Sequence, residues 1–163
     1  MIFVLKINAN GAVNWINYFG NNFNYFVSGI NVNDEGSIAI TGVENFFSYS
    51  ETAFFLLVSK VGTLIKFQNI KFTDRELYAL YNIEPTKDNQ FIAVGHAGNS
   101  STRTDNIVPL WYIKFNSQGD FVWNKTIIPL ENKVDRGSFG STITKGVNDD
   151  YYLVGRYSAD RGA

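Results

Sequence analysis

The chain has 163 residues, 45% hydrophobic and 18% charged, with a net charge of -1. That length ordinarily makes one domain with a real core, and that composition excludes general disorder. The near-neutral charge gives no sign of an electrostatic footprint for nucleic acid or an anionic membrane, and the lack of cysteine excludes disulfide and thiolate chemistry.

The N-terminal run Met1-Ile-Phe-Val-Leu-Lys6 is too short for a signal peptide and leads straight into Phe3-Val-Leu-Lys-Ile-Asn-Ala-Asn-Gly11-Ala-Val-Asn-Trp15. The chain is therefore expected not to be exported by this route, or to be a piece of something longer. The segment reads as a strand, a tight polar turn and a second strand closing on tryptophan. Ser37-Ile-Ala-Ile-Thr-Gly42 is next, a strand-like run ending in glycine. Phe54-Phe-Leu-Leu-Val-Ser-Lys-Val-Gly62-Thr-Leu-Ile-Lys66 is a worn copy of the first hairpin, with Lys66 in the place of tryptophan. Gln90-Phe-Ile-Ala-Val-Gly95 matches the run at Gly42. Trp111-Tyr-Ile-Lys-Phe-Asn-Ser-Gln-Gly119-Asp-Phe-Val-Trp123 is the clearest hairpin copy, and Asp150-Tyr-Tyr-Leu-Val-Gly155 closes the series. The turn glycines are spaced 51 and 57 residues apart, and the strand-end glycines 53 and 60. An isoleucine (Ile30, Ile83, Ile143) precedes each strand-end glycine by 12 residues.

Each unit thus reads as four short strands, A to D. A carries the isoleucine, B ends at its glycine, and C and D form the hairpin. Asn, Asp and Gly populate the A–B and C–D turns because they tolerate positive φ or bond their own backbone. B and C are near-continuous apolar runs, as in strands buried on both faces. Pro85, Pro109 and Pro129 fall at strand margins or loops, and no segment carries a helical period with caps.

A period above 50 residues with four strands per unit predicts an all-β fold of β-propeller-like blades in the order C–D, A–B–C–D, A–B–C–D, A–B. The whole chain is one repeat domain, divided into segments 1–22, 23–72, 73–128 and 129–163. Three blade equivalents are fewer than a closed propeller holds. The expectation is a fragment of a longer propeller, or a homo-oligomer in which two chains make six blades, or a curved open array; the fragment is favoured because both ends fall inside a blade.

The strand ending in Val-Gly, the Ile-Lys-Phe-Asn-Ser-Gln-Gly119 strand and turn, and the Trp-Asn-Lys-Thr126 strand resemble propeller-type repeats of secreted and surface proteins of Bacteroidetes. The first and third copies match that pattern and the second departs at Val61 and Lys66. The resemblance implies a structural, non-catalytic repeat region, secreted or at the cell surface.

Long loops held on a rigid scaffold concentrate function. Here they are the B–C loops (43–52 and 96–107) and the D–A stretch (128–137), so this B–C/D–A side is the expected binding face for a protein or glycan partner. His96 directly follows Gly95, and Arg156 holds the same register. The lone histidine reads as a half-exposed loop residue in preference to a base or ligand, since no Cys or second His completes a metal set. Arg75 and Arg136 each follow an aspartate just before strand A. They could line an anion pocket, though an ion pair at the strand entry is the favoured reading. Phe46, Phe47 and Tyr49 lie outside the repeat register and are the better ligand candidates, though an apolar loop there fits burial under a missing or partner blade equally well; Trp15, Trp111 and Trp123 read as packing between blades. Acidic turns at Asp34-Glu35 and Asp149-Asp150 read as hairpin chemistry and not as a calcium loop. No motif calls for a metal, cofactor or nucleophile, so the expectation is a non-catalytic binding or scaffold module. The alternative is a lectin or glycan-processing enzyme drawing on Asp105, Glu131 and Asp135, two carboxylates being what glycoside hydrolysis needs.

Overall fold

The computed structural model describes residues 1–21, 24–46, 51–72, 76–99, 109–127 and 135–159. They form twelve strands: β1 (Ile2–Ile7), β2 (Val13–Phe19), β3 (Tyr25–Val32), β4 (Ile38–Glu44), β5 (Thr52–Val58), β6 (Leu64–Ile70), β7 (Glu76–Pro85), β8 (Phe91–Asn99), β9 (Leu110–Phe115), β10 (Phe121–Ile127), β11 (Asp135–Lys145) and β12 (Tyr151–Ala159). Every pairing is antiparallel. Sheet I is β1–β2, sheet II is β3–β4–β5–β6, sheet III is β7–β8–β9–β10 and sheet IV is β11–β12. The two-four-four-two order is the one the sequence predicts, and no sheet closes on itself. Among the described residues no helix is long and apolar enough to cross a membrane.

Aromatic and β-branched residues suit these strands because their rings and branches pack on a pleated surface. Their alternation decides which sheet each face meets. In β5, Phe54, Leu56 and Val58 pack toward sheet I with Ile2, Val4 and Phe19. The intervening Phe55 and Leu57 join Trp111, Ile113 and Phe115 of sheet III. The rings of Phe55 and Phe115 stack with centroids 4.1 Å apart. On the far side of sheet III, Ile92 and Val94 meet Ile143 of sheet IV. The core is thus a series of layers between successive sheets.

The C–D turns are built alike. Asn8 accepts from the amides of Asn10 and Ala12 through Oδ1, and Asn116 accepts from Gln118 and Asp120 in the same way. Each turn then closes on a left-handed glycine, Gly11 (φ 81), Gly62 (φ 89) or Gly119 (φ 82). Such a residue after a reverse turn forms the G1 bulge that matches the twist of the flanking strands.

The structure corrects one part of the strand plan. Strand B does not end at its glycine: Gly42, Gly95 and Gly155 lie inside β4, β8 and β12. Each sits opposite an irregularity in strand A, between Val27 and Gly29, Leu80 and Asn82, or Gly140 and Thr142. A Cβ at Gly42 would stand 2.1 Å from the Phe26 carbonyl oxygen, and one at Gly95 1.8 Å from that of Ala79. The glycines admit the bulged neighbour; they do not stop the strand. A second correction follows from this, since Arg136 lies within β11 rather than before it.

Candidate functional site

Long, partly polar strand ends define one side of the molecule. His96 is not a half-exposed loop residue: it lies in β8 with 5% of its surface exposed. Burial pushes its imidazole down to about 4, so the ring is neutral at physiological pH. Its Nδ1 lies 3.1 Å from the hydroxyl of Tyr81, the bulged residue of β7. Burial, reinforced by the charge of Glu51, pushes the Tyr81 phenol up to about 12. The pair is two neutral groups hydrogen-bonded to each other, His96 buried and Tyr81 half-buried, an arrangement that ties β8 to β7. A buried carboxylate, Glu44, ends β4 and accepts a hydrogen bond from the Asn69 amide of β6. Sequence reasoning missed both contacts; the only signal was a polar residue one or two places beyond the strand B glycine.

Of the expected binding residues, Phe46 is described and stacks on Phe26 of β3 with centroids 4.6 Å apart. Arg136 and Arg156 lie on β11 and β12. Phe47, Tyr49 and Arg75 lie outside the described residues, as do Asp105 and Glu131. The three tryptophans pack as read. Trp111 is fully buried between sheets II and III, Trp15 packs against the layer between I and II, and Trp123 against that between III and IV.

Two clefts open on the tight-turn side. One, of about 390 Å³, lies between sheets III and IV over Trp123, Tyr151 and Ile92. Lys114 reaches Asp88 at 3.3 Å and Lys87 reaches Asp149 at 3.3 Å across its rim. Asp88 is held below the usual carboxylate range, first by the Thr86 hydroxyl and then by Lys114. Burial raises the Tyr151 phenol. The other cleft, of about 370 Å³, lies between sheets I and II over Trp15, Ile30, Val32 and Ile38. Its lining is mostly apolar. The interior junction between II and III is occupied at the same place by Leu57 and Phe91, both fully buried.

A scan against protein-family models matches no family, and a search of curated proteins finds no relative.

Proposed function

We propose that this chain is a β-propeller-type repeat module that acts, without catalysis, as a binding or scaffold unit. The single observation that carries the reading is one hydrogen bond made twice at the same register. The Asn17 side-chain amide donates to the Gly62 carbonyl at 2.9 Å, and the Gln68 amide donates to the Gly119 carbonyl at 2.8 Å. Strand D of one unit thus clasps the C–D turn of the next, as successive blades do. The A–B turns are linked in the same sense, Asn33 to the Asn89 carbonyl at 3.0 Å and Lys87 to Asp149. Polar side chains at the repeat positions are engaged in joining sheets. The neutral, buried His96–Tyr81 pair fits that role better than proton transfer at neutral pH, which calls for a pKa near 7.

The long-loop face is the binding surface in this reading, for a protein or a glycan, and the module works outside the cell, a proposal that rests on the resemblance to surface repeats. A panel of polysaccharides tests it with two readouts, binding and release of products. The expected result is binding without turnover, weakened when Phe46, Phe47 and Tyr49 are replaced by alanine. Product release that disappears in Asp105→Asn or Glu131→Gln contradicts it and supports a glycan-processing enzyme.

A further inference from the structure

Among the described residues the inner strands β4, β5, β8 and β9 are covered on both faces, whereas β1 of sheet I and β12 of sheet IV each leave one apolar face bare. Phe54, Leu56 and Val58 of β5 and Trp111, Ile113 and Phe115 of β9 face the preceding sheet and are fully buried. At the same distances from the turn glycine, Phe3, Leu5 and Ile7 of β1 are 64%, 45% and 56% exposed. At the other end, Ile92 and Val94 of β8 are covered by sheet IV, while Tyr152 and Val154 of β12 at that register are 60% and 56% exposed. Polar groups tell the same story. Gly62 and Gly119 each have side chains of the preceding strand D against them, whereas Gly11, equally left-handed, faces open space. Lys125, at the position of Asn17 and Gln68, is exposed.

We propose that β1–β2 of one copy of this chain joins β11–β12 of a second copy to complete a four-stranded sheet. In it β1 pairs with β12 as β5 pairs with β4 and β9 with β8. The inference rests on the propeller reading above. The register follows from the interior sheets. Gly42 opposes Phe54 and Gly95 opposes Trp111, which sets Gly155 against Phe3. Thr41 opposes Phe55 and Val94 opposes Tyr112, which sets Val154 against Val4. In that register Leu5 and Leu153 turn to one side of the new sheet, Val4 and Val154 to the other. The Lys125 ammonium then donates to the Gly11 carbonyl of the second copy. The contact is head-to-tail, so it must close into a ring to leave no bare end. One copy supplies three sheet equivalents and two copies supply six, inside the roughly four-to-eight range of closed propellers; three copies overshoot it.

Cysteine cross-linking reads the register directly, because the chain has no cysteine of its own. Directly opposed residues of antiparallel strands have Cα atoms about 4.5–5.5 Å apart, within disulfide reach. A mixture of Val4→Cys and Val154→Cys chains is expected to oxidise to a species of twice the 18.4 kDa chain mass. Either variant alone, and Val4→Cys mixed with Val147→Cys from the adjoining turn, should remain uncross-linked. Sedimentation of the unmodified chain, which no substitution can unfold, should give the doubled mass, and Leu5→Glu should return it to a folded single chain. A monomeric unmodified chain, a mass that grows without limit, or equal cross-linking at both cysteine pairs overturns the proposal. The polysaccharide panel can be run on monomer or dimer, so loss of the partner copy leaves the binding-module reading to its own test.

Discussion

Strands β5 and β1 both carry Phe at the position eight before their turn glycine and alternate large apolar residues from there. In β5 those residues are fully buried; in β1 all three lie in the open. The difference is one of neighbours. A strand of this composition has two faces to hide, and an antiparallel sheet can leave one in water only if that face is polar. Sheet I keeps an apolar face bare, and sheet IV does so more mildly. The interior junctions therefore show how this chain packs, and the end sheets show what packing still has to be supplied.

Substitutions on either side of that comparison should separate by size. Trp111→Ala, in the interior, should cost about 3–5 kcal/mol in denaturant unfolding, whereas Phe3→Ala should shift the stability of the single chain by less than about 0.5 kcal/mol. Equal losses would break the contrast between covered and bare faces. Stability should also fall on acidification through His96. Its folded pKa lies near 4 and its unfolded one near 6.5, so the unfolded chain binds the proton first. The contribution is full above pH 6.5, declines as the pH falls toward 4, and amounts to on the order of 3 kcal/mol at most. His96→Gln should flatten that slope in unfolding curves recorded between those pH values. Gly95→Ala, which drives a methyl group into the Ala79 carbonyl, should cost about 1–3 kcal/mol, and amide NMR shifts should change around the β7–β8 bulge. The smallest contrast is polar. Gln68→Ala should cost about 1 kcal/mol, while Lys125→Ala should be neutral in the single chain.

The turns and the sheet sizes were legible because they depend on local chemistry: Asn116 and Gly119 specify a hairpin wherever they stand. The unbroken apolar run Phe54–Val58 likewise announced a strand with two apolar faces. The role of Gly42, Gly95 and Gly155 was not legible, because the bulge that requires each one lies on a neighbouring strand. His96 was misread for a related reason. The strand continues past Gly95, and only pairing with β7 reveals that continuation. The same holds for Ile30, Ile83 and Ile143, which share a register but differ in cover: Ile83 and Ile143 are buried and Ile30 is 60% exposed. Burial depends on the preceding sheet, which a residue pattern does not name. The long-loop residues Phe47, Tyr49 and Arg75 stand outside the described residues, so their part in binding rests on the sequence reading.

Amide hydrogen exchange at low and high protein concentration tests most directly whether the bare end sheets are two halves of one contact. The account predicts constant protection in β4, β5, β8 and β9, and protection that rises with concentration at Phe3–Lys6 of β1 and Tyr152–Gly155 of β12 together. Exchange in β1 and β12 that stays fast and independent of concentration would contradict it.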